Sequence, residues 1–254
     1  MPYAPAMPAT PAWPPKSLSR LFVRSRLSEG SCIELDAGQA NYLGNVMRLG
    51  QGSELLVFDG ESGEWLARIA ETGKKRMTLT VERKTREQET IPDLWLAFAP
   101  VKRAQTDWLV EKATELGAAR LLPVITQRTV PERVKLERLQ TIAIEAAEQC
   151  GRTCLPEIAE PLPLKHLLDH RDAARTLYFA DEGGGDWAPD AFTDGPSMIL
   201  TGPEGGFSDD ERELVRAAPN SVPISLGPRI LRAETAALAA LAVYMAVAGD
   251  WRTY

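Results

Sequence analysis

The sequence predicts an α/β protein, a small β-barrel followed by a domain built on a mainly parallel sheet. Three observations predict it. Residues 20 to 88 hold short alternating apolar runs closed by turn residues, the pattern of a small barrel. From Asp93 onward, strands alternate with amphipathic helices, as crossover connections in a parallel sheet require. Two loops in that second part leave a strand, pass through glycine and enter a helix, a usual ligand position in open α/β sheets.

In the first part, Arg20-Leu-Phe-Val reads as a strand, and Asn41 to Leu49 as a short helix ended by Gly50 and Gly52. Glu54-Leu-Leu-Val-Phe and Glu64-Trp-Leu-Ala-Arg-Ile flank Asp59-Gly60, a strong hairpin signal. Met77-Thr-Leu-Thr-Val adds another alternating strand, and Glu82 to Glu89 reads as a linker ending near Pro92. In the second part, strands are expected at Leu94–Ala99, Arg120–Ile125, Thr176–Ala180, Met198–Thr201 and Val222–Leu226. Helices are expected at Ala104–Leu116 with Gly117 as the stop, at Lys135–Gln149, after Ser208 and at Ala233–Val247. Ser208 and Glu211 have capping-box spacing. Asp181 to Gly195, rich in acids and glycine, reads as a flexible loop.

Composition removes several function classes. Six prolines fall in the first fifteen residues, so residues 1–19 are expected to be a disordered tail and not a secretory signal. No run of eighteen apolar residues occurs, so no membrane-spanning helix is expected. Three cysteines make no disulfide framework, which fits a cytoplasmic protein, and no metal-ligand spacing stands out. Only His166 and His170 are histidines, so chemistry built on a central histidine is not expected. The net charge is −6, yet its distribution is uneven. Arg68 to Arg86 carries seven basic residues against two acidic, either a positive surface or an ordinary solvated face.

The first glycine loop is Ile199-Leu-Thr-Gly-Pro-Glu-Gly-Gly-Phe-Ser. It lacks the Gly-Lys-Ser/Thr ending of a phosphate-binding loop and the Gly-x-Gly-x-x-Gly spacing, which leaves a ligand loop or a tight structural turn. The second is Ser225-Leu-Gly-Pro-Arg-Ile-Leu-Arg-Ala-Glu-Thr-Ala. Its charged groups beside Ile230 and Leu231 suit an amphipathic ligand with a flat base, or a helix cap with an internal ion pair. On the long helix, Glu145, Glu148, Gln149 and Arg152 share a face.

Four ordered blocks make the sequence recognisable: Lys102-Arg-Ala-Gln-Thr-Asp-Trp-Leu-Val-Glu-Lys-Ala-Thr-Glu-Leu-Gly117, Glu145-Ala-Ala-Glu-Gln-Cys-Gly-Arg152, Gly202-Pro-Glu-Gly-Gly-Phe-Ser208 and Leu226-Gly-Pro-Arg-Ile-Leu-Arg-Ala-Glu-Thr-Ala236. From about Arg20 to the end the chain resembles the RsmE-type family of ribosomal RNA uracil-N3 methyltransferases, in the SPOUT superfamily. The proline-rich start has no place in the family pattern, and Asn41-Tyr42-Leu43 stands where relatives often have histidine.

The resemblance implies a PUA-like RNA-binding barrel over 20–88 and a knotted SPOUT methyltransferase domain over 93–254, acting as a homodimer on ribosomal RNA of the small subunit. It implies S-adenosylmethionine held by Leu200, Thr201, Gly202, Glu204, Gly205 and Gly206, and by Leu226, Gly227, Ile230, Leu231, Arg232, Thr235 and Ala236. Arg232, with Arg152 second, is then the candidate cation for the uracil carbonyls, and Glu234 or Glu148 the candidate proton acceptor. Arg20, Arg24, Arg48, Lys102, Arg103 and Arg128 become candidate phosphate contacts.

Overall fold

The structure, a computed structural model, describes residues 18–73, 76–130 and 134–253. The proline-rich start expected to be disordered lies outside the described residues as far as residue 17. The chain divides into two units. The first holds the described residues up to Thr90 together with Ala147–Leu155; the second holds Ile91–Ala146 and Pro156 onward.

In the first unit, β1 (Arg20–Phe22), β2 (Cys32–Glu34), β3 (Glu54–Phe58), β4 (Glu64–Thr72) and β5 (Met77–Arg86) form one sheet in the order β1-β3-β4-β5-β2. Bulges in the β4–β5 ladder bend it around a core that includes Leu21, Leu43, Leu55, Val57, Ile69 and Leu79. The β3–β4 hairpin turns at Asp59 as expected. Its carboxylate accepts from the amides of Leu27, Glu61 and Ser62 and from the Ser62 hydroxyl, at 2.7–3.0 Å. Burial works to raise the Asp59 pKa, but these four hydrogen bonds outweigh it and hold the carboxyl below its usual range.

Two local expectations shift. The helix begins at α1 (Ala37–Asn41), earlier than the apolar pattern suggests, because Asp36 and Gln39 form a capping box. It then widens into a π-helical turn, Tyr42–Val46. The expected linker from Glu82 is strand as far as Arg86, paired to β4 through Lys84↔Trp65 and Arg86↔Glu64. Past the core edge the strand carries charges that pair across the sheet. Arg68 bridges Glu54 and Glu82, Lys84 meets Glu87, and Arg86 meets Glu64. Among the described basic residues of this stretch, Arg68, Arg76, Lys84 and Arg86 thus have acidic partners.

The second unit comprises β6 (Leu94–Phe98), α2 (Arg103–Glu115), β7 (Arg120–Ile125), α3 (Leu136–Cys150), β8 (Glu157–Ile158), β9 (Leu162–Pro163), α4 (Leu164–His170), β10 (Thr176–Ala180), β11 (Asp186–Trp187), α5 (Ala188–Ala191), β12 (Ser197–Thr201), α6 (Asp209–Ala217), β13 (Ser221–Ser225) and α7 (Ala233–Val247). Only the last turn of α3 belongs to the first unit. The strand order is β11-β13-β10-β12-β6-β7-β8, with β9 also beside β7, and every ladder is parallel.

Side chains alternate across a strand, so consecutive residues feed two cores. Leu94, Leu96, Phe98, Tyr178 and Ile199 join Leu109 and Val110 of α2 and Leu241 and Tyr244 of α7 on one face. Ala97, Leu177, Phe179, Met198 and Leu200 join Leu164 and Leu167 of α4, Phe207 and Val215 of α6 on the other. The acidic segment expected to be a flexible loop is partly ordered. Asp186 and Trp187 pair with Ile224 and Ser225, and α5 follows. Backbone pairing to β13 supplies the order that its composition conceals.

The sequence pattern divides the chain near residue 90, yet Ala147–Leu155 folds with the first unit. Arg20 explains it. Its guanidinium bonds Glu64 at 2.7 Å and the carbonyls of Ala147, Glu148 and Arg152 at 2.6–3.0 Å, over the Phe58 ring. The first two carbonyls sit in the last turn of α3, where a cation is favoured. Glu148 accepts from the Phe22 amide at 2.9 Å, and Glu89 from the amides of Thr153 and Cys154. Burial, ahead of the smaller effects of Arg152 and Glu89, pushes the Cys154 thiol up to about 11. Arg20 is only 6% exposed, and its loss takes the 2.7 Å partner from the buried Glu64 carboxylate, leaving it Thr85 and the more distant Arg86. Arg20→Ala should cost about 3–5 kcal/mol, read as a lower midpoint in urea unfolding; an unchanged midpoint would contradict this role.

Candidate functional site

Because all strands of the second sheet run one way, the loops leaving β10, β12 and β13 share an edge. Residues 181–184, 201–204, 206–207 and 224–232 enclose a cleft of about 780 Å³, within the usual range for small-molecule sites. The beginnings of α2 (Lys102, Gln105) and α7 (Glu234, Ala236) complete the wall.

Each loop is built by local chemistry. Thr201 is buried, and its carbonyl accepts from the Ala99 amide at 3.0 Å, which fixes the end of β12. Gly202 lies so close to the Phe207 ring that a Cβ there would meet it at 2.8 Å. Gly206 has φ +66°, and a Cβ would meet the Glu182 carboxylate at 2.6 Å. Both glycines are thus required by close approach, one of them also by backbone conformation. Beyond the loop, Ser208 and Glu211 form the expected capping box. The second Glu211 oxygen accepts from the Gln127 amide, and Arg128 donates to the Gly205 carbonyl at 2.8 Å.

The loop after β10 is held by Asp181, whose side chain is 1% exposed. Arg216 binds one oxygen at 2.6 Å and Arg212 approaches the other at 3.3 Å. The Gly183 amide also donates to it at 2.8 Å. Arg212 reaches on to Glu182 at 2.9 Å, so this carboxylate is tied at the cleft wall.

Of the sequence-derived candidates, Arg232 and Glu234 both line the cleft. Arg232 is the exposed N-cap of α7; Glu234 is largely buried in its first turn, where a carboxylate is favoured. Thr201, Gly202, Glu204, Gly206, Leu226, Gly227, Ile230, Leu231 and Ala236 also line it. Leu200 sits fully in the core instead, while Gly205 and Thr235 stand outside the lining. Glu148 and Arg152 fold with the first unit, Glu148 bonded to β1 and Arg152 6% exposed beside Cys154 and Glu89.

Among the cations, Lys102 lines the cleft, Arg103 and Arg128 are exposed in the same unit, and Arg24 and Arg48 are exposed in the first. Arg20 is a correction: its donors are spent on Glu64 and three carbonyls, so it is no surface cation. Sequence reasoning missed Asp181, Glu182, Arg212 and Gln105. The signal for the first two was present, since Ala180-Asp-Glu-Gly-Gly is also a strand running into glycine. Chemically, the cleft joins an apolar wall of Ile224, Leu226, Ile230 and Leu231 to carboxylates of Glu182, Glu204 and Glu234 and to the cations Lys102, Arg229 and Arg232. That set suits a cation-bearing amphipathic molecule next to an anionic substrate.

The model of the RNA methyltransferase domain matches residues 87–245, and that of the RNA methyltransferase PUA domain matches residues 35–82. Ribosomal RNA small subunit methyltransferase E of Rickettsia conorii is 34% identical, over 88% of this chain and 93% of its own length. The Synechocystis protein of the same name is 35% identical, over 88% and 76%. A Legionella pneumophila protein described as a methyltransferase, solved in complex with SAM, superposes with a TM-score of 0.84 at 32% identity, covering 92% of this chain and 99% of that one. Ribosomal RNA small subunit methyltransferase E of Neisseria gonorrhoeae, solved bound to S-adenosyl methionine, gives 0.86 at 26% identity and the same coverage. With a domain model over most of its length and relatives of 34% and 35% identity matched over 88% of it, the chain belongs to the RNA methyltransferase family, alongside the ribosomal RNA small subunit methyltransferase E proteins.

Proposed function

We propose that this chain transfers a methyl group from S-adenosylmethionine to N3 of a uridine in 16S ribosomal RNA of the small subunit. The cleft carries the reading: it is built by the two glycine loops of a family whose solved relatives bind that cofactor. Its donor set fits. The apolar wall from Ile224 to Leu231 suits an adenine ring, and Glu182 and Glu204 suit the positive charges of the methionine part. When bound, S-adenosylmethionine supplies an electrophilic methyl group on a sulfonium.

The chain's own residues have three tasks. Loops 201–206 and 226–236 hold the cofactor against Thr201, Gly202, Gly206, Leu226 and Gly227, and alignment of donor and acceptor is worth up to about 7–11 kcal/mol. Uracil N3 carries a proton at neutral pH, which must leave as the new bond forms. We assign its acceptance to Glu234 and the stabilisation of negative charge on the uracil carbonyls to Arg232, since both line the cleft. Arg152 and Glu148 are assigned to anchoring Ala147–Leu155 in the first unit.

In this reading residues 20–88 bind RNA and residues 93–254 form the knotted transferase. Arg24, Arg48, Lys102, Arg103 and Arg128 supply phosphate contacts, in the cytoplasm. The active species is a homodimer. Ile230, 90% exposed, and Trp187, 52% exposed, lie at the cleft and next to β13, and a second copy would cover them.

Labelled methyl transfer to isolated small subunits should yield N3-methyluridine by mass spectrometry; another methylated nucleoside moves the target, and no transfer despite cofactor binding removes the enzymatic reading. Arg232→Ala should lower kcat about 10²–10³-fold with the fold unchanged, and near-normal turnover would refute its assignment. Sedimentation equilibrium should give twice the chain mass, whereas a monomer that still methylates would exclude the dimer as the active form.

A further inference from the structure

The first unit keeps its large apolar side chains inside, with one exception. Tyr42, Val46 and Met47 are 42%, 62% and 39% exposed, and among its described residues they are the only large apolar side chains this exposed. All three lie on or beside one π-helical turn, with the Met47 amide bonded to the Tyr42 carbonyl at 2.9 Å. Widened turns of this kind recur at functional sites. Leu43, fully buried, and Leu49, packed against the core, anchor the turn from beneath. The exposed side chains are therefore presented by a fixed frame.

The next residue strengthens the case. Arg48 has φ +57°, one of two described non-glycine residues with positive φ. A long side chain in that region is a backbone outlier, and such outliers concentrate at functional positions. A glycine would relax it. The charge pattern points the same way. Gly38 to Ser53 contains no acidic residue in a chain with 35. The Gln39 amide bonds the Phe22 carbonyl at 2.8 Å, which ties α1 to the strand that leads into exposed Arg24 and Arg26. Among the described residues Arg24, Arg26 and Arg48 form no ion pair, in contrast to Arg68, Lys84 and Arg86. Asn41 and Asn45, linked at 2.7 Å, add amide groups beside Tyr42.

We propose that the Tyr42–Arg48 turn is a stacking site for unpaired nucleotides, with Tyr42 as the platform for a base and Arg48 as the clamp on an adjoining phosphate. An exposed aromatic ring on a turn that also carries an exposed, unpaired cation offers the two groups that bind single strands with little sequence preference. Val46 and Met47 extend the apolar surface to a neighbouring base. The proposal rests on RNA as the substrate, and it adds that this substrate offers an unpaired segment to the first unit.

The full chain is titrated with a labelled, unstructured oligoribonucleotide and, separately, with a duplex RNA of the same length. Tyr42→Ala should weaken single-strand binding about tenfold or more, with duplex binding and thermal unfolding unchanged. Tyr42→Trp should preserve affinity. Arg48→Gly, which relieves the backbone, should reduce the salt dependence by about one phosphate contact. The proposal fails if Tyr42→Ala binds the single strand like the wild type, or if Tyr42→Trp loses as much as Tyr42→Ala. It also fails if Val46→Asp changes the sedimentation mass without RNA, since the patch then joins copies of the chain. Methyl transfer is read separately. A wild type that binds through Tyr42 but never methylates sinks the transferase reading and leaves this proposal standing.

Discussion

A parallel ladder fixes direction as well as distance, and the ladders among the described residues of the second unit are all of this kind. Each strand must be re-entered from the same end, so helices cover both faces and the C-terminal strand ends collect on one edge. Three loops far apart in the chain thereby become neighbours. The ion pairs at Asp181 keep one of them in place: its carboxylate is 1% exposed and held by two arginines and an amide. Removing a partner from so buried a charge is costly, so the loop behaves as part of the sheet. Gly206 can then pack directly against Glu182, which joins two of the loops in one wall of the cleft.

The same strands divide their side chains between two cores by strict alternation. Leu96 and Phe98 face α2 and α7, while Ala97 faces α4 and α6. This matters to the site because α7 carries Arg232 and Glu234 at its start. Packing of Leu241 and Tyr244 fixes the helix that presents those groups. The polar tip of Tyr244 bonds Ser197 and Gly195, at the opposite end of β12 from the glycine loop. Burial pushes the Tyr244 hydroxyl pKa up, against the Ser197 hydrogen bond, so it remains a neutral donor.

The first unit treats its charges in two ways. Arg20 is drawn inward to satisfy Glu64 and the end of α3, and Arg68, Lys84 and Arg86 pair across or beside strands. Arg24, Arg26 and Arg48 sit instead on acid-poor segments and stay exposed. A chain with net charge −6 can therefore present a local cationic surface to a polyanion without an overall attraction to it.

Sequence alone determined the two-part architecture, most central strands, the capping box at Ser208 and the two glycine loops, because alternation, capping and turn chemistry act over a few neighbouring residues. It also brought Arg232 and Glu234 forward, since both stand in a strand–loop–helix block that is legible as one. It misassigned Arg20, whose partners lie as far as 132 residues away, and it joined Glu148 and Arg152 to the transferase part because they continue a helix that begins there. The loop at Asp181 looked flexible because its acids and glycines are the residues of an unstructured segment; only pairing with β13 and two arginines of α6 gives it order. Which strand ends meet is decided by pairing between distant segments, and no local pattern encodes that choice. Tertiary structure therefore decided the membership of the cleft, while the sequence had already determined the chemistry available to it.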